Sequence, residues 1–281
     1  MIPICTTVDG YKARRSIFKS EGHRIALVPT LGALHDGHLK LMEHAQKLAD
    51  RLVVSIFVNP KQFNDEEDLI KYPRPLQQDI HLLNQLGIDL LFLPSSAEMY
   101  PAGHAETIDV ELSHLTSPLE GRYRPGHFDG VIAVVHRLLD IIEPDFLVMG
   151  QKDYQQLTII REMIKRLGLP VDLVAHPTIR EADGLAMSSR NVRLSSKARK
   201  QAPAIYRILQ KAKALKDQYS PAEAVAKCII ELDERIFRVD YFKIVDTDSL
   251  KPLTSWRMQG KNLVCVAAWL GDVRLIDNII V

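Results

Sequence analysis

A parallel α/β sheet with helices on both faces, followed by a smaller α+β domain, is the architecture this sequence predicts. Two observations predict it. Short, near-continuous apolar runs rich in β-branched residues alternate with helical patterns up to about residue 176. Parallel strands buried on both faces and joined by crossover helices produce that alternation. Beyond residue 176 the order changes to helical stretches followed by three β runs, which is an α+β pattern. The 281 residues, 46% of them hydrophobic, suffice for one large and one small domain without a disulfide or metal staple.

Taken in order, Ile25 to Val28 is a buried strand, and Leu39 to Ala49 has helical spacing at Leu41, Ala45 and Leu48. Arg51 to Val58 is strongly β. Pro75 to Leu86 carries Ile80, Leu83 and Leu86 in helical step, with Gly87 as its stop. Asp89 to Leu93 is a further buried strand, and the alternation of Thr107 to Leu112 suits an edge strand. Phe128 to Ile142 places Val131, Val134, Val135, Leu138 and Leu139 on one helical stripe. A strand over Asp145 to Met149, a helix over Tyr154 to Leu167 ending at Gly168, and a strand over Val171 to Ala175 complete the first domain. A boundary falls between residues 176 and 184, giving domains 1–178 and 179–281. In the second, Ser195 to Lys216 is a basic, Ala-rich helical stretch. Ser220-Pro221-Ala222-Glu223 is a capping box that starts a helix expected to run through Phe237. Three β runs follow, Val239 to Val245, Asn262 to Trp269 and Val273 to Ile280, with Gly271-Asp272 as the last turn.

A formal net charge of +1 argues against a dedicated nucleic-acid binder. Three scattered cysteines, Cys5, Cys228 and Cys265, have no metal-site spacing and suit a reducing compartment. No basic-then-apolar leader and no run of roughly 18 apolar residues is visible, so the expectation is a soluble, cytoplasmic protein with no membrane partner.

The first chemical constellation is Pro29-Thr30-Leu31-Gly32-Ala33-Leu34-His35-Asp36-Gly37-His38, between the Ile25 strand and the next helix. Ligands of open parallel sheets bind at the carboxyl ends of strands. Gly32 and Gly37 allow close approach of a phosphate, and the new helix offers N–H groups with roughly half a unit of positive charge. His35 and His38, three residues apart, share a face if both lie in the first helical turn. A zinc pair fails on spacing and on the lack of a third ligand, and no G-x-G-x-x-G is present.

The second is Met187-Ser188-Ser189-Arg190-Asn191, where two hydroxyls and a forked permanent cation suit a polyphosphate. The third is Gly150-Gln151-Lys152-Asp153-Tyr154-Gln155-Gln156, again at a strand end. Lys152 supplies a point charge for a phosphate, Asp153 a receptor for a ribose hydroxyl, and Gln156 faces the same cleft one turn later. Asn59-Pro60-Lys61-Gln62 ends another strand in the same manner, with Gln62 able both to donate and to accept.

The histidine segment resembles the "HIGH" signature of the class I nucleotidyl-transfer superfamily, and the serine–arginine segment resembles its "KMSKS" counterpart. The longer string P-T-x-G-A-L-H-x-G-H, together with G-x-K-D-x-Q-Q at Gly150–Gln156 and matching segments at Tyr72-Pro73-Arg74 and Gly121–Phe128, resembles the pantothenate synthetases. The resemblance spans residues 25–195 through five motifs in order. It departs at Leu31, where methionine is expected, at Met149 and Gln151, which replace phenylalanine and glutamate, and at Gln78, which replaces an acidic residue before Asp79.

The resemblance implies a Rossmann-like first domain and a homodimer. The implied activity is ATP-dependent condensation of pantoate with β-alanine through a pantoyl-adenylate, releasing pyrophosphate and AMP. It assigns Leu31–His38, Gly150–Asp153, the main chain at Ile179, and Met187–Arg190 to ATP, and Gln62 and Gln156 to pantoate. His35, His38, Lys152 and Arg190 become the charge-stabilising set, with His38 as the most charge-sensitive donor, since an unperturbed pKa of about 6.5 allows protonation beside phosphates. Arg124 is implied as a stabiliser of a loop or of the leaving phosphates. Mg2+ is expected with ATP, held mainly by phosphates, with Asp79 as the candidate protein ligand.

Two competitors are a nucleotidyltransferase of the same superfamily acting on a phosphorylated substrate, and a tRNA-binding synthetase-like module. The two glutamines suit a less charged acid than the first requires. The second rests on Lys197, Arg199, Lys200, Arg207, Lys211 and Lys213, which read as a solvated helix face. A catalytically silent structural protein is disfavoured by so many polar residues at strand ends.

Overall fold

The computed structural model describes residues 1–101, 108, 110–232 and 236–281. The chain divides into two compact units. The first comprises Met1–Leu112, Arg124–Gln151 and Ile159–Pro177; the second comprises Ser113–Tyr123, Lys152–Thr158 and Thr178–Val281.

The first unit is built on six strands, β1 (Ile4–Cys5), β2 (Ile25–Thr30), β3 (Arg51–Ile56), β4 (Leu90–Phe92), β5 (Phe146–Gly150) and β6 (Asp172–His176). Their order is β1-β4-β3-β2-β5-β6, and every pairing is parallel. β2 and β3 are almost wholly buried, as a parallel sheet covered on both faces requires. One layer of the core joins Ala26, Val28, Val54 and Leu91 of the strands to Leu34, Met42 and Leu83. On the N-terminal helix Val8–Ser20, Tyr11 is fully buried, and its hydroxyl donates to the Ile142 carbonyl at 3.1 Å.

Helix ends follow local chemistry. Gly87, at φ +73°, closes the Leu76–Leu86 helix in the left-handed conformation open to glycine. The helix expected over Leu39 to Ala49 instead spans Asp36–Ala45. Its first turn is polar, so the apolar stripe begins later than the helix does. Part of the edge strand expected over Thr107 to Leu112 lies outside the described residues; from Ser113 to Thr116 the chain is helical.

The second unit carries an antiparallel sheet, β7 (Phe237–Asp246), β8 (Asn262–Leu270) and β9 (Val273–Ile280), in sequential order. Its apolar face packs against the Ala204–Ala214 and Pro221–Ile229 helices through Ile205, Ile208, Leu209, Ala224, Phe242, Val264 and Val266. The single helical stretch expected over Ser195 to Lys216 is two helices, Ser196–Gln201 and Ala204–Ala214. Pro203 separates them, because it lacks an N–H for the ladder. The capping box forms as expected, with Ser220 N–H donating to Glu223 at 2.8 Å. The helix it starts ends at Ile229, however, and Phe237 begins β7 rather than ending a helix. On the other face, buried Glu120 receives Arg274 at 2.6 and 2.9 Å and the Tyr241 hydroxyl at 2.8 Å.

Candidate active site

In the first unit, β2 lies between β3 and β5, so connections leaving β2 and β5 run to opposite sides of the sheet. That divergence is the topological switch point, where open α/β sheets bind ligands. The turn after β2 is the histidine segment, and the turn after β5 starts at Gly150-Gln151.

The histidine turn is a rigid piece of backbone. Gly32 and Ala33 are both left-handed, at φ +76° and +50°. Gly32 also lacks room for a side chain: a Cβ there would come to 3.0 Å from the Asp79 carboxylate. Asp79, 2% exposed, reaches in from the Leu76–Leu86 helix. Its two oxygens accept the Ala33 N–H at 2.9 Å and the Leu34 N–H at 2.8 Å. Burial pushes the Asp79 carboxyl above its ordinary pKa, against the pull of those two amides. Thr30 completes the turn, its hydroxyl donating to Ser55 and accepting from Gly32.

Two sequence expectations bear on this turn. The Ala33 and Leu34 amides are turned to Asp79, so the phosphate-facing donors of this segment are left to its helical part. Asp79 is committed to bracing the turn, each of its oxygens accepting one main-chain amide. Among the described residues, no three His, Cys, Asp or Glu side chains form a metal site.

His35 is the N-cap of the Asp36–Ala45 helix and His38 its third residue, so the pair occupies the first turn as expected. The rings lie 4.0 Å apart, centroid to centroid. His38 Nδ1 accepts the His35 backbone N–H at 3.3 Å. An accepting Nδ1 carries no proton, so the ring is the neutral tautomer with its hydrogen on Nε2. A protonated imidazolium would set N–H against N–H. In this arrangement it is Nε2 of His38 that can present an N–H donor.

Gln62 ends a 3₁₀ turn, Pro60–Gln62, after β3. Its carbonyl accepts Nδ1–H of buried His127 at 2.7 Å, and Arg124 stands beside the same oxygen at 3.5 Å. Asn59 donates to the Gln62 side chain at 3.4 Å and to the Gly130 carbonyl at 3.0 Å. A Cβ on Gly130 would strike the Lys61 carbonyl at 2.3 Å, so glycine lets the His127–Ile142 helix lie directly on this turn.

The second unit holds Lys152, Asp153, Gln156, Ile179 and Met187–Arg190. Lys152 and Gln156 are half-buried, and Asp153 is exposed. Gln155 is buried, donates to the Leu115 and Pro118 carbonyls and accepts the Glu120 N–H, so its amide is committed to structure. Residues 179–187 form a small hairpin. Met187 N–H donates to the Ile179 carbonyl at 3.0 Å, Glu181 N–H to Leu185 at 2.8 Å, and Arg180 bridges Ala186. Gly184 turns it at φ +94°, with the Tyr206 ring where a Cβ would lie. The hairpin delivers Ser188, Ser189 and Arg190, all half-buried, into a 3₁₀ turn over Asn191–Arg193.

Sequence reasoning passed over what holds this hairpin. Arg180 makes a two-pronged pair with Asp277 at 2.5 and 2.9 Å, donates to the Gly184 carbonyl at 3.1 Å, and stacks 3.8 Å over Tyr206. The neighbouring Asn278 donates to the Lys152 carbonyl at 2.7 Å. The available signal was a polar pair inside the otherwise apolar Leu275–Ile280 run. The histidine turn and Lys152 with the serine–arginine segment belong to different units; within the second unit, β9 links Lys152 to the hairpin.

This fold and site define the class: a parallel-sheet α/β protein with polar, glycine-bearing turns at the carboxyl ends of its strands, followed by a small antiparallel domain. Comparison with known proteins carries the assignment further. Residues 3–280 match the model of the pantoate-beta-alanine ligase family. The structure is similar to pantothenate synthetase from Thermus thermophilus, at 43% identity and a TM-score of 0.91, covering 99% of each chain. It is also similar to the pantoate-beta-alanine ligase of Francisella tularensis, complexed with beta-gamma ATP and beta-alanine. That match has 35% identity and a TM-score of 0.81, and covers 100% of this chain and 98% of the other.

The chain belongs to the pantoate–β-alanine ligase family. It is an enzyme that joins pantoate to β-alanine to form pantothenate. No helix among the described residues is long and apolar enough to cross a membrane.

Proposed function

We propose that this enzyme couples the condensation to ATP through a pantoyl-adenylate. A pantoate carboxylate oxygen attacks the α-phosphorus of ATP, the bond to the bridging oxygen breaks, and pyrophosphate leaves. The β-alanine amine then attacks the activated carbonyl, loses a proton, and expels AMP. No side chain needs to become covalently attached.

The observation that carries this reading is the His38 ring, held through Nδ1 in the first helical turn at the switch point, after a turn braced by Asp79. Donors held in place before charge develops stabilise a transition state without reorganisation cost. His35 and His38 serve the phosphates from the histidine turn. Lys152, Ser188, Ser189 and Arg190 supply the remaining charge and hydroxyl donors, and the main chain at Ile179 meets the adenine. Leu31–Gly37, Gly150, Gln151, Asp153 and Met187 form the rest of the nucleotide surface, and Gln62 and Gln156 hold pantoate. The Francisella tularensis relative, complexed with beta-gamma ATP and beta-alanine, supports the choice of nucleotide and amine. Magnesium is assigned to the nucleotide, on phosphate oxygens and water, since Asp79 is engaged with amides.

The test is exchange of labelled pyrophosphate into ATP without β-alanine. Exchange that requires pantoate, and AMP as the nucleotide product of full turnover, are the expected results. Pantothenate formation with no pantoate-dependent exchange would rule out a freely reversible adenylate, and a nucleotide-containing final product would favour a nucleotidyltransferase.

A further inference from the structure

We infer that Asp277 and Asn278, adjacent on β9 near the end of the chain, are positioning residues for the phosphate-binding segments of the second unit. Asn278 sets the main chain of Lys152, and Asp277, through Arg180, sets the hairpin that carries Ser188–Arg190. The inference rests on the nucleotide role assigned above to those segments.

Successive residues of a strand face opposite ways. On β9, Val273, Leu275 and Ile279 face the helical cluster, while Arg274 reaches Glu120 on the other side. Asp277 belongs to the first face and meets Arg180; Asn278 belongs to the second and meets the Lys152 carbonyl. One strand thus holds two segments that lie 97 and 126 residues away in the chain.

Both side chains are buried, Asp277 at 3% exposed and Asn278 at 6%. The clamp is cross-linked as well. Asp277 accepts the Asn278 N–H at 2.7 Å, and Arg180 donates to the Asn278 carbonyl at 3.3 Å. Buried polar groups in an apolar strand cost desolvation unless satisfied. Nothing in sheet packing calls for them here, whereas fixing two charged segments does. The Lys152 bond is made to its main chain, so Asn278 places the residue without competing for its ammonium.

A displacement of about 1 Å in a positioned group is enough to cost on the order of 10²-fold in rate. The test is a double-mutant cycle of Asn278→Ala with Lys152→Ala, read by pantoate-dependent pyrophosphate exchange in enzyme shown to be folded by its near-UV dichroism. Asn278→Ser serves as the second variant. Asn278→Ala is expected to lower kcat about tenfold or more, with a smaller change in the KM for pantoate. In the background of Lys152→Ala the same change should have little further effect, because Asn278 acts through that residue.

Additive losses, or full activity in Asn278→Ala, would overturn the inference while leaving the role of Lys152 intact. Full activity in Lys152→Ala would instead overturn the nucleotide reading itself.

Discussion

The histidine turn of the first unit and the serine–arginine hairpin of the second are both short, polar and stiff, yet they are held by opposite means. The histidine turn is pinned by two backbone amides on one buried carboxylate, Asp79, whose hydrogen bonds are to main chain rather than to a cation. The hairpin is pinned by a guanidinium–carboxylate pair, 97 residues apart in sequence. The first device commits a carboxylate to the main-chain amides of the turn that leads into the two histidines. The second anchors a segment that ends in an arginine of its own, Arg190. The difference predicts how each region fails.

Removing Arg180 should have the largest effect on stability. Arg180→Ala leaves Asp277 buried and unpaired, a change expected to cost about 3–5 kcal/mol in chemical denaturation. Pairing Arg180→Met with Asp277→Leu should recover much of that loss without restoring exchange activity. Asp79→Ala comes next, since two buried amides lose their acceptor, at a cost of about 3 kcal/mol. The same variant should lose exchange activity, because the turn that orients His35 and His38 is released. Gly184→Ala is the smallest of the three, about 2 kcal/mol, from the left-handed φ and the contact with Tyr206.

The carboxylates also titrate in opposite directions. Asp79 should titrate above the ordinary aspartate range because of burial, and Asp183, within the hairpin and hydrogen-bonded to Arg199, below it. Asp79 then contributes most to stability below the ordinary value and loses that contribution as pH rises through its folded pKa. Asp183 contributes above the ordinary value and loses its share as pH falls through its own. Carbon-13 NMR of the two carboxyls checks the pair, and an Asp79 resonance that titrates below Asp183 would contradict it.

What was legible in the sequence were features written locally. The Tyr154–Leu167 helix and the Val273–Ile280 strand have the predicted bounds, because each is flanked by a glycine signal and has an unambiguous period. The histidine pair was visible because spacing and flanking glycines sit together in ten residues. The helix expected to run to Phe237 failed because Ala224, Cys228 and Leu232 keep a helical step past the point where the helix ends. The brace at Asp79 looked like one more polar residue on a helix, and its two amide partners lie 45 and 46 residues earlier. Arg180, Asp277 and Asn278 were illegible for the same reason: their meaning lies in pairings across the chain that no local pattern encodes. That His38 Nδ1 accepts the His35 N–H was illegible too, because composition cannot show which ring nitrogen a neighbouring amide meets.

The most direct measurement is pantoate-dependent pyrophosphate exchange in three variants, His38→Ala, His38→Gln and His38→Asn. A glutamine amide nitrogen falls near the position of Nε2, and that of asparagine near Nδ1. Loss of one preorganised donor should lower the rate about 10²–10³-fold in His38→Ala, with glutamine recovering part of it and asparagine none. Unchanged exchange in folded His38→Ala, or better recovery by asparagine than by glutamine, would contradict the account.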